Sequence, residues 1–333
     1  SASQVFKESK RVLSKIDGIG PYLSACLANK ESKTIAAKEM AYLHKNNTRF
    51  FYFKDPNYPT HLKHCPDGPI ILFREGEFDL NTKRIISIVG TRNMTAYGRD
   101  FCTALIRDLA PYNPTIVSGF AHGVDICAHK AAFEHNLQTV AVLAHGLEEL
   151  YPKIHKKYVH QMLNNGGFLS DFWHDDKPLR EHFLKRNRIV AGISKATLVI
   201  ESAQKGGSLV TADIANSYNK DVFALPGRYS DVYSQGCNNL IKTHQAHVLT
   251  SIDDIIALLN WEENKPKPVQ NELFIRLTSE EQVIYDYLTR KGIATLDTIA
   301  VDCALPTYKL SSLLIQLELK GIVTPLPGKR FEV

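Results

Sequence analysis

A series of glycine-marked turns punctuates one continuous α/β pattern, and this constrains the chain more than any other feature. The turns are Val89-Gly90-Thr91-Arg92 with Tyr97-Gly98, Ser118-Gly119-Phe120-Ala121-His122-Gly123-Val124-Asp125, the segment FLKRNR at 183–188, Gly206-Gly207-Ser208 and Pro226-Gly227. Strand-length runs rich in Ile, Val and Leu occur at 84–89, 115–118, 139–144, 167–170, 197–200 and 221–224. They are mostly unbroken rather than alternating, as strands buried on both faces are. Helical patterns separate them at 97–110, 124–135, 153–164, 186–193 and 209–219. Strands spaced by helices in this way require a parallel sheet with both faces covered, so the expected class is α/β with a Rossmann-like sheet domain. The first, second and fourth turns lie where a strand hands over to a helix. There an open α/β sheet turns backbone N–H groups and a helix N-terminus toward an anionic ligand.

The pattern divides the chain into a helical segment at 1–75, the Rossmann-like domain at 76–262, a linker at 263–272 and a winged helix at 273–333. The first segment ends in an extended Pro-rich approach. Within it Ile16-Asp17-Gly18-Ile19-Gly20-Pro21 fits a helix-hairpin-helix, whose glycine turn either presents N–H groups to a DNA phosphate or only closes two packed helices. The chain opens Ser-Ala-Ser without Met, so this segment is read as truncated. The linker Glu262-Glu263-Asn264-Lys265-Pro266-Lys267-Pro268 is polar and aperiodic. After it, Thr278-Ser279-Glu280-Glu281 makes a capping box, and two further helices and a hairpin around Pro327-Gly328 complete a winged helix.

Composition narrows the field by exclusion. A net charge of +5 over 333 residues permits a nucleic-acid partner without specifying one, so the placement of the charges must decide. Six scattered cysteines without a C-x-x-C pair read as small buried hydrophobes in a reducing cytosol. No apolar run reaches the ~20 residues of a membrane span, and no signal peptide is seen, so a cytoplasmic protein is expected. The chain lacks G-x-x-x-x-G-K-[ST], a complete G-x-G-x-x-G, G-x-S-x-G and H-E-x-x-H. His155 and His160 lie off one helical face, and His122 and His129 fit packing or capping, with His122 also able to donate to a phosphate. No catalytic residue, metal or cofactor is therefore expected.

What remains is a binding surface. In Gly90-Thr91-Arg92 glycine permits close approach of an anion, the Thr hydroxyl and free amides can donate, and Arg supplies a bidentate fork. Ser118 and Gly119 make the second such turn, and Gly206, Gly207 and Ser208 the third, with Ser208 as the expected helix cap. Arg180, Phe183, Lys185, Arg186, Asn187 and Arg188 gather four cations beside a ring and an amide, opposed by Glu181. Such a run is often a solvated helix face; the ring among the cations favours contact with a single nucleic-acid strand. Glu201, at a strand's end, is available as a base or to bind a sugar hydroxyl, and equally to orient Arg186 or Arg188 from inside the site; the structural role is favoured because no second carboxylate or His–nucleophile pair accompanies it.

The ordered blocks VGTR with Tyr97-Gly98, SGFAHGVD, HGLEELYP, FLKRNRIVAGIS, GGSLVTADIA, FALPG and GCNNLI resemble those of the DNA-processing protein A (DprA/Smf) family, over roughly 55–261. The N-terminal segment is similar to that family's SAM-like or helix-hairpin-helix domain, and the C-terminal one to the winged helix some members carry. The resemblance implies a single-stranded DNA binder that protects incoming DNA in natural transformation and loads RecA, commonly as a homodimer through the Rossmann-like domain. It places the family's phosphate turns on Gly90, Thr91, Arg92, Ser118 and Gly119, and its basic and aromatic contacts on Arg180, Phe183, Lys185, Arg186 and Asn187. Thr91 stands where the family has Ser, and Asp171 where it has Glu. The competing reading is a nucleotide-processing hydrolase of the LOG or lysine decarboxylase-like type, which resembles P-G-G-x-G-T-x-x-E. Here Ala212 occupies the Glu position and Asp213 follows it.

Overall fold

A computed structural model of the chain describes residues 2–28, 31–261, 277–326 and 328–333. The chain forms two compact units, Ser1–Asn264 and Lys265–Val333; the expected linker at 263–272 lies outside the described residues.

The first unit is built on a nine-stranded sheet. Its strands are β1 (Arg49–Tyr52), β2 (Ile71–Gly76), β3 (Ile85–Val89), β4 (Thr115–Ser118), β5 (Thr139–Val142), β6 (Gly166–Ser170), β7 (Ala196–Val199), β8 (Asp221–Ala224) and β9 (His247–Val248), in the order β1-β2-β6-β5-β4-β3-β7-β8-β9. From β6 to β9 every pairing is parallel, whereas β2 joins β6 and β1 joins β2 antiparallel. Every residue of β3 to β7 is buried, which explains their unbroken apolar runs. Alternate residues feed two cores. Ile85, Val89, Val117 and Val140 pack with Ile189 and Val190, and Ile86, Ile88 and Ile116 pack with Cys102, Ile106 and Ala128. The helix Arg180–Ile193 is tied to the first face because buried Ser87 Oγ donates to the Val190 carbonyl at 2.6 Å.

The segment 1–75, expected to be helical with an extended end, contributes β1 and β2, so the sheet starts upstream of residue 76. Both strands lie toward one edge and mix exposed or half-buried residues with buried ones, which dilutes the apolar signal. Ahead of them, the short helices Lys10–Leu13 and Pro21–Ala28 flank Gly18 at φ +86°, a left-handed conformation that glycine adopts without strain.

The order of the sheet positions the site. The chain runs outward from β3 through β4 and β5 to β6, then returns to the other side of β3 as β7, β8 and β9. The carboxyl ends of β3 and β7 thus lie side by side where successive connections diverge, the crevice in which open α/β sheets bind ligands.

The second unit is a winged helix: helices Ser279–Lys291, Leu296–Asp302 and Thr307–Leu319 with a three-stranded sheet of Ala294–Thr295, Thr324–Leu326 and Arg330–Glu332. Ile284, Leu288, Ile299, Leu310, Leu314 and Leu317 form its core. The capping box of Thr278 and Glu281 opens the first helix, and Lys320 Nζ reaches the buried Glu281 carboxylate at 2.6 Å.

One buried histidine gives the first unit an acid-sensitive element. Thr139 Oγ1 donates to the Ile116 carbonyl and accepts from His129 Nδ1 at 2.7 Å, which leaves His129 Nε2 buried without a partner among the described residues. A second proton there is unsolvated, and burial pushes the imidazole down to about 3 from its ordinary 6.5. As pH falls from about 6.5 toward 3 the unfolded chain takes up this proton and the folded chain does not. Stability present above that window is therefore lost within it, at about 1.4 kcal/mol per pH unit. In chemical denaturation between pH 6 and 4, His129→Gln is expected to flatten the slope by about that amount; an unchanged slope contradicts the assignment.

Candidate nucleic-acid interface

Three glycines let backbones converge at the crevice. A Cβ on Gly90 would lie 2.4 Å from Val124 Cγ2, and one on Gly119 would lie 2.1 Å from Arg186 Nη1 and 2.6 Å from Asp125 Oδ2. Gly123 combines φ +75° with the same crowding, its Cβ meeting the Thr91 carbonyl at 2.2 Å. The turn after β4 therefore packs directly on the turn after β3, and Val124 N–H donates to the Thr91 carbonyl at 3.2 Å.

Glu201 takes the structural role favoured from sequence, with Thr95 as its partner rather than either arginine. Its carboxylate, in a residue 2% exposed, accepts from Thr95 N–H at 2.8 Å and from the Thr95 hydroxyl. Thr95 in turn caps the helix Ala96–Leu109 through Gly98 N–H. Any side chain at 98 would collide with Glu201, since its Cβ would sit 2.4 Å from Oε2. The Thr91 amide is also engaged, donating to the Glu201 carbonyl at 2.7 Å, and the Thr91 hydroxyl accepts from Asn93 N–H. Of the groups expected at this turn, exposed Arg92 is the one directed to solvent without an ion pair among the described residues.

The turns enclose a cavity of about 310 Å³ that Gly90, Thr91, Arg92, Gly119, Phe183, Arg186, Asn187, Gly206, Gly207 and Ser208 line together. The helix Gly207–Ser217 points its start at this space with Gly206 as N-cap and no side-chain capping bond. Leu209 N–H donates back to the Gly206 carbonyl at 3.1 Å, which leaves the amides of Gly207 and Ser208 without a partner among the described residues. Ser208 is not the cap expected from sequence: its hydroxyl is buried and donates to Ser202 Oγ at 2.9 Å.

Arg186 is 4% exposed. It lies across Gly119 beside Asp125, donates from Nη1 to the Val142 carbonyl at 2.5 Å, and has a buried Nε without a partner among the described residues. Burial lowers its pKa to about 10, opposed by the Asp125 carboxylate, so the guanidinium stays charged at neutral pH. Burial pushes the Asp125 carboxyl up, while Arg186 and the Ala121 N–H hold it down. Exposed Arg92 sets its guanidinium 5.1 Å from the Phe183 ring, which Tyr151 meets edge-on at 6.0 Å.

Four expected contact residues lie off the cavity wall. Ser118 is buried and donates to the Ile88 carbonyl at 2.6 Å, joining β4 to β3. Arg188 binds Asp171 and the Asp67 carbonyl, which commits it to the fold and accounts for Asp171. Lys185 lies 5.5 Å over the Phe172 ring, and Arg180 is exposed at its helix start. Sequence reasoning assigned no role to Asp125, because its partner Arg186 is remote in the chain.

Among the described residues no group of three or more His, Cys, Asp or Glu is placed to hold a metal ion, and no helix is long and apolar enough to cross a membrane. The arrangement offers uncapped amides, one exposed and one buried guanidinium, an amide side chain and a ring around one space. It is equipped to hold a phosphate with a planar group beside it.

The chain is similar to known proteins over most of its length. The family model of DNA recombination-mediator protein A matches residues 49–260, and that of the DprA winged helix domain matches 266–329. Protein Smf of Synechocystis is 30% identical, over 96% of this chain and 89% of its own length. The crystal structure of DNA processing protein A from Streptococcus pneumoniae superposes with a TM-score of 0.64 at 31% identity, covering 75% of this chain and 86% of that one. DNA processing protein A from Helicobacter pylori, described for its single-stranded DNA binding mode, gives a TM-score of 0.58 at 31% identity over 65% and 97%.

The two arginines differ in what they do for the fold. Removing exposed Arg92 is expected to cost less than about 1 kcal/mol of stability, the range of an exposed cation–π contact. Arg186→Ala is expected to cost about 3–5 kcal/mol, because it strands the buried Asp125 carboxylate. Denaturant melts of both variants, with Arg186→Ala/Asp125→Ala recovering part of the loss, check this; a melt for Arg186→Ala matching that of Arg92→Ala contradicts it.

Proposed function

Because this chain belongs to the DNA recombination-mediator protein A family, we propose that it is a recombination mediator that holds single-stranded DNA at the crevice between β3 and β7. The observation that carries this reading is one cavity combining uncapped amides, a buried arginine with an unpartnered Nε, and an arginine-covered phenylalanine. Phosphate binds the amides and guanidinium groups, and a base stacks at Phe183 with little preference for its identity. Expected site residues off this wall, Arg180 and Lys185, contact the strand as it leaves. We extend the proposal, with family membership as its support, to protection of incoming DNA in natural transformation, loading of RecA and assembly as a homodimer.

The proposed role involves no turnover. Its support is the position of the carboxylates that the hydrolase reading needs: Glu201 is buried in the Thr95 clamp, Asp213 is exposed and off the cavity wall, and Ala212 is buried.

Equilibrium binding of oligo-dT and of a blunt duplex of equal length tests this. The single strand is expected to bind more tightly, and affinity to fall with salt at about 0.7 per phosphate neutralised. Arg92→Ala is expected to lose about 1.5–3 kcal/mol, as for a hydrogen bond to a charged group. Phe183→Ala is expected to lose about 1–3 kcal/mol with the salt slope unchanged, since stacking removes no counterion. Equal affinity for the duplex overturns the reading, and adenine release from AMP that Glu201→Gln abolishes replaces it with the hydrolase.

A further inference from the structure

A second and larger cavity, of about 490 Å³, opens on the other side of Arg92, which lines both. Its cations come from separate elements: Arg99 from the helix Ala96–Leu109, Lys130 from the helix Val124–Glu134 and Lys157 from the 3₁₀ turn Lys153–Tyr158. Together with Arg92 they make four exposed cations, none in an ion pair among the described residues. Glu134 is the one carboxylate on the wall. Unscreened like charges around a concavity repel one another and raise the local potential for an anion. The wall between them is apolar at Ile126 and Ile154. One ring, Tyr158, lies 6.0 Å from Lys130 Nζ and 5.1 Å from Lys157 Nζ.

We propose that this cavity holds the continuation of the single strand, which turns at Arg92 and places its next phosphates on Arg99, Lys130 and Lys157 and a base against Tyr158. The inference rests on the single-strand reading of the first cavity and extends it. An apolar wall with a ring suits a base, and cations at spaced points suit successive phosphates rather than one. A duplex, whose bases face inward, cannot bring a base to a ring set in a concave wall. Shared Arg92 makes the two cavities one path.

The experiment uses the full chain with oligo-dT of increasing length and the double variant Lys130→Ala/Lys157→Ala, whose altered residues are both exposed. For the shortest oligonucleotide that binds, the variant is expected to match the parent. For longer ones it is expected to bind roughly tenfold more weakly, with a salt slope smaller by about 1.4, two phosphates at about 0.7 each. A loss equal at all lengths, or none at any length, overturns the proposal. Failure of the parent chain to bind any single strand removes the underlying reading instead.

Cys127 gives an independent readout, because it lines this cavity and the neighbouring Cys102 thiol lowers its pKa to about 7. Its alkylation by iodoacetamide, followed by peptide mass, is expected to slow with long oligo-dT and not with the shortest binder or with dTMP. Protection by dTMP alone makes the cavity a mononucleotide site and overturns the continuous path.

Discussion

A charged guanidinium buried across the Cα of a glycine organises this molecule's crevice. Arg186 fits there because Gly119 has no side chain, and its hydrogen bond to the Val142 carbonyl anchors it to the end of β5. Burying such a charge is costly unless an opposite charge and further acceptors accompany it. Asp125 supplies the charge, yet Nε stays without a partner. Arg186 lines the cavity, and on the proposed reading a phosphate oxygen bound there supplies a further acceptor for its guanidinium.

Around that arginine, the remaining polar groups hold the turns in place. Glu201 orders the turn after β3 through Thr95 and its own carbonyl, Ser118 links β4 to β3, and Arg188 with Asp171 fastens the far side of the same helix. These groups are satisfied within the fold, so they shape the site without being available to a ligand. What is left facing the cavity is Arg92, Phe183, Asn187 and the start of the helix Gly207–Ser217.

The parts of this arrangement that were legible in the sequence are those with short-range causes. Strands buried on both faces wrote unbroken apolar runs, and glycines marked places where another chain segment passes within van der Waals distance. β1, β2 and β9 were not legible: β1 and β2, toward one edge, mix exposed or half-buried residues with buried ones, and β9, at the other edge, is two exposed residues. The charge run at 180–188 read as one surface, but long-range partners divide it: Asp125 and Val142 hold Arg186 inside, and Asp171 and Asp67 engage Arg188. Ser208 departs from the cap role its sequence position predicts for the same reason, because the hydroxyl of Ser202 lies close enough to accept its proton.

The central claim is that the first amides of the helix Gly207–Ser217, framed by Arg92 and Arg186, hold a single strand's phosphate. Hydrogen–deuterium exchange with and without oligo-dT reads those amides directly. Slowed exchange is expected in peptides covering 90–95, 118–123 and 203–209, with little change on adding blunt duplex. Protection confined to the winged helix, with those three peptides exchanging as before, contradicts the account.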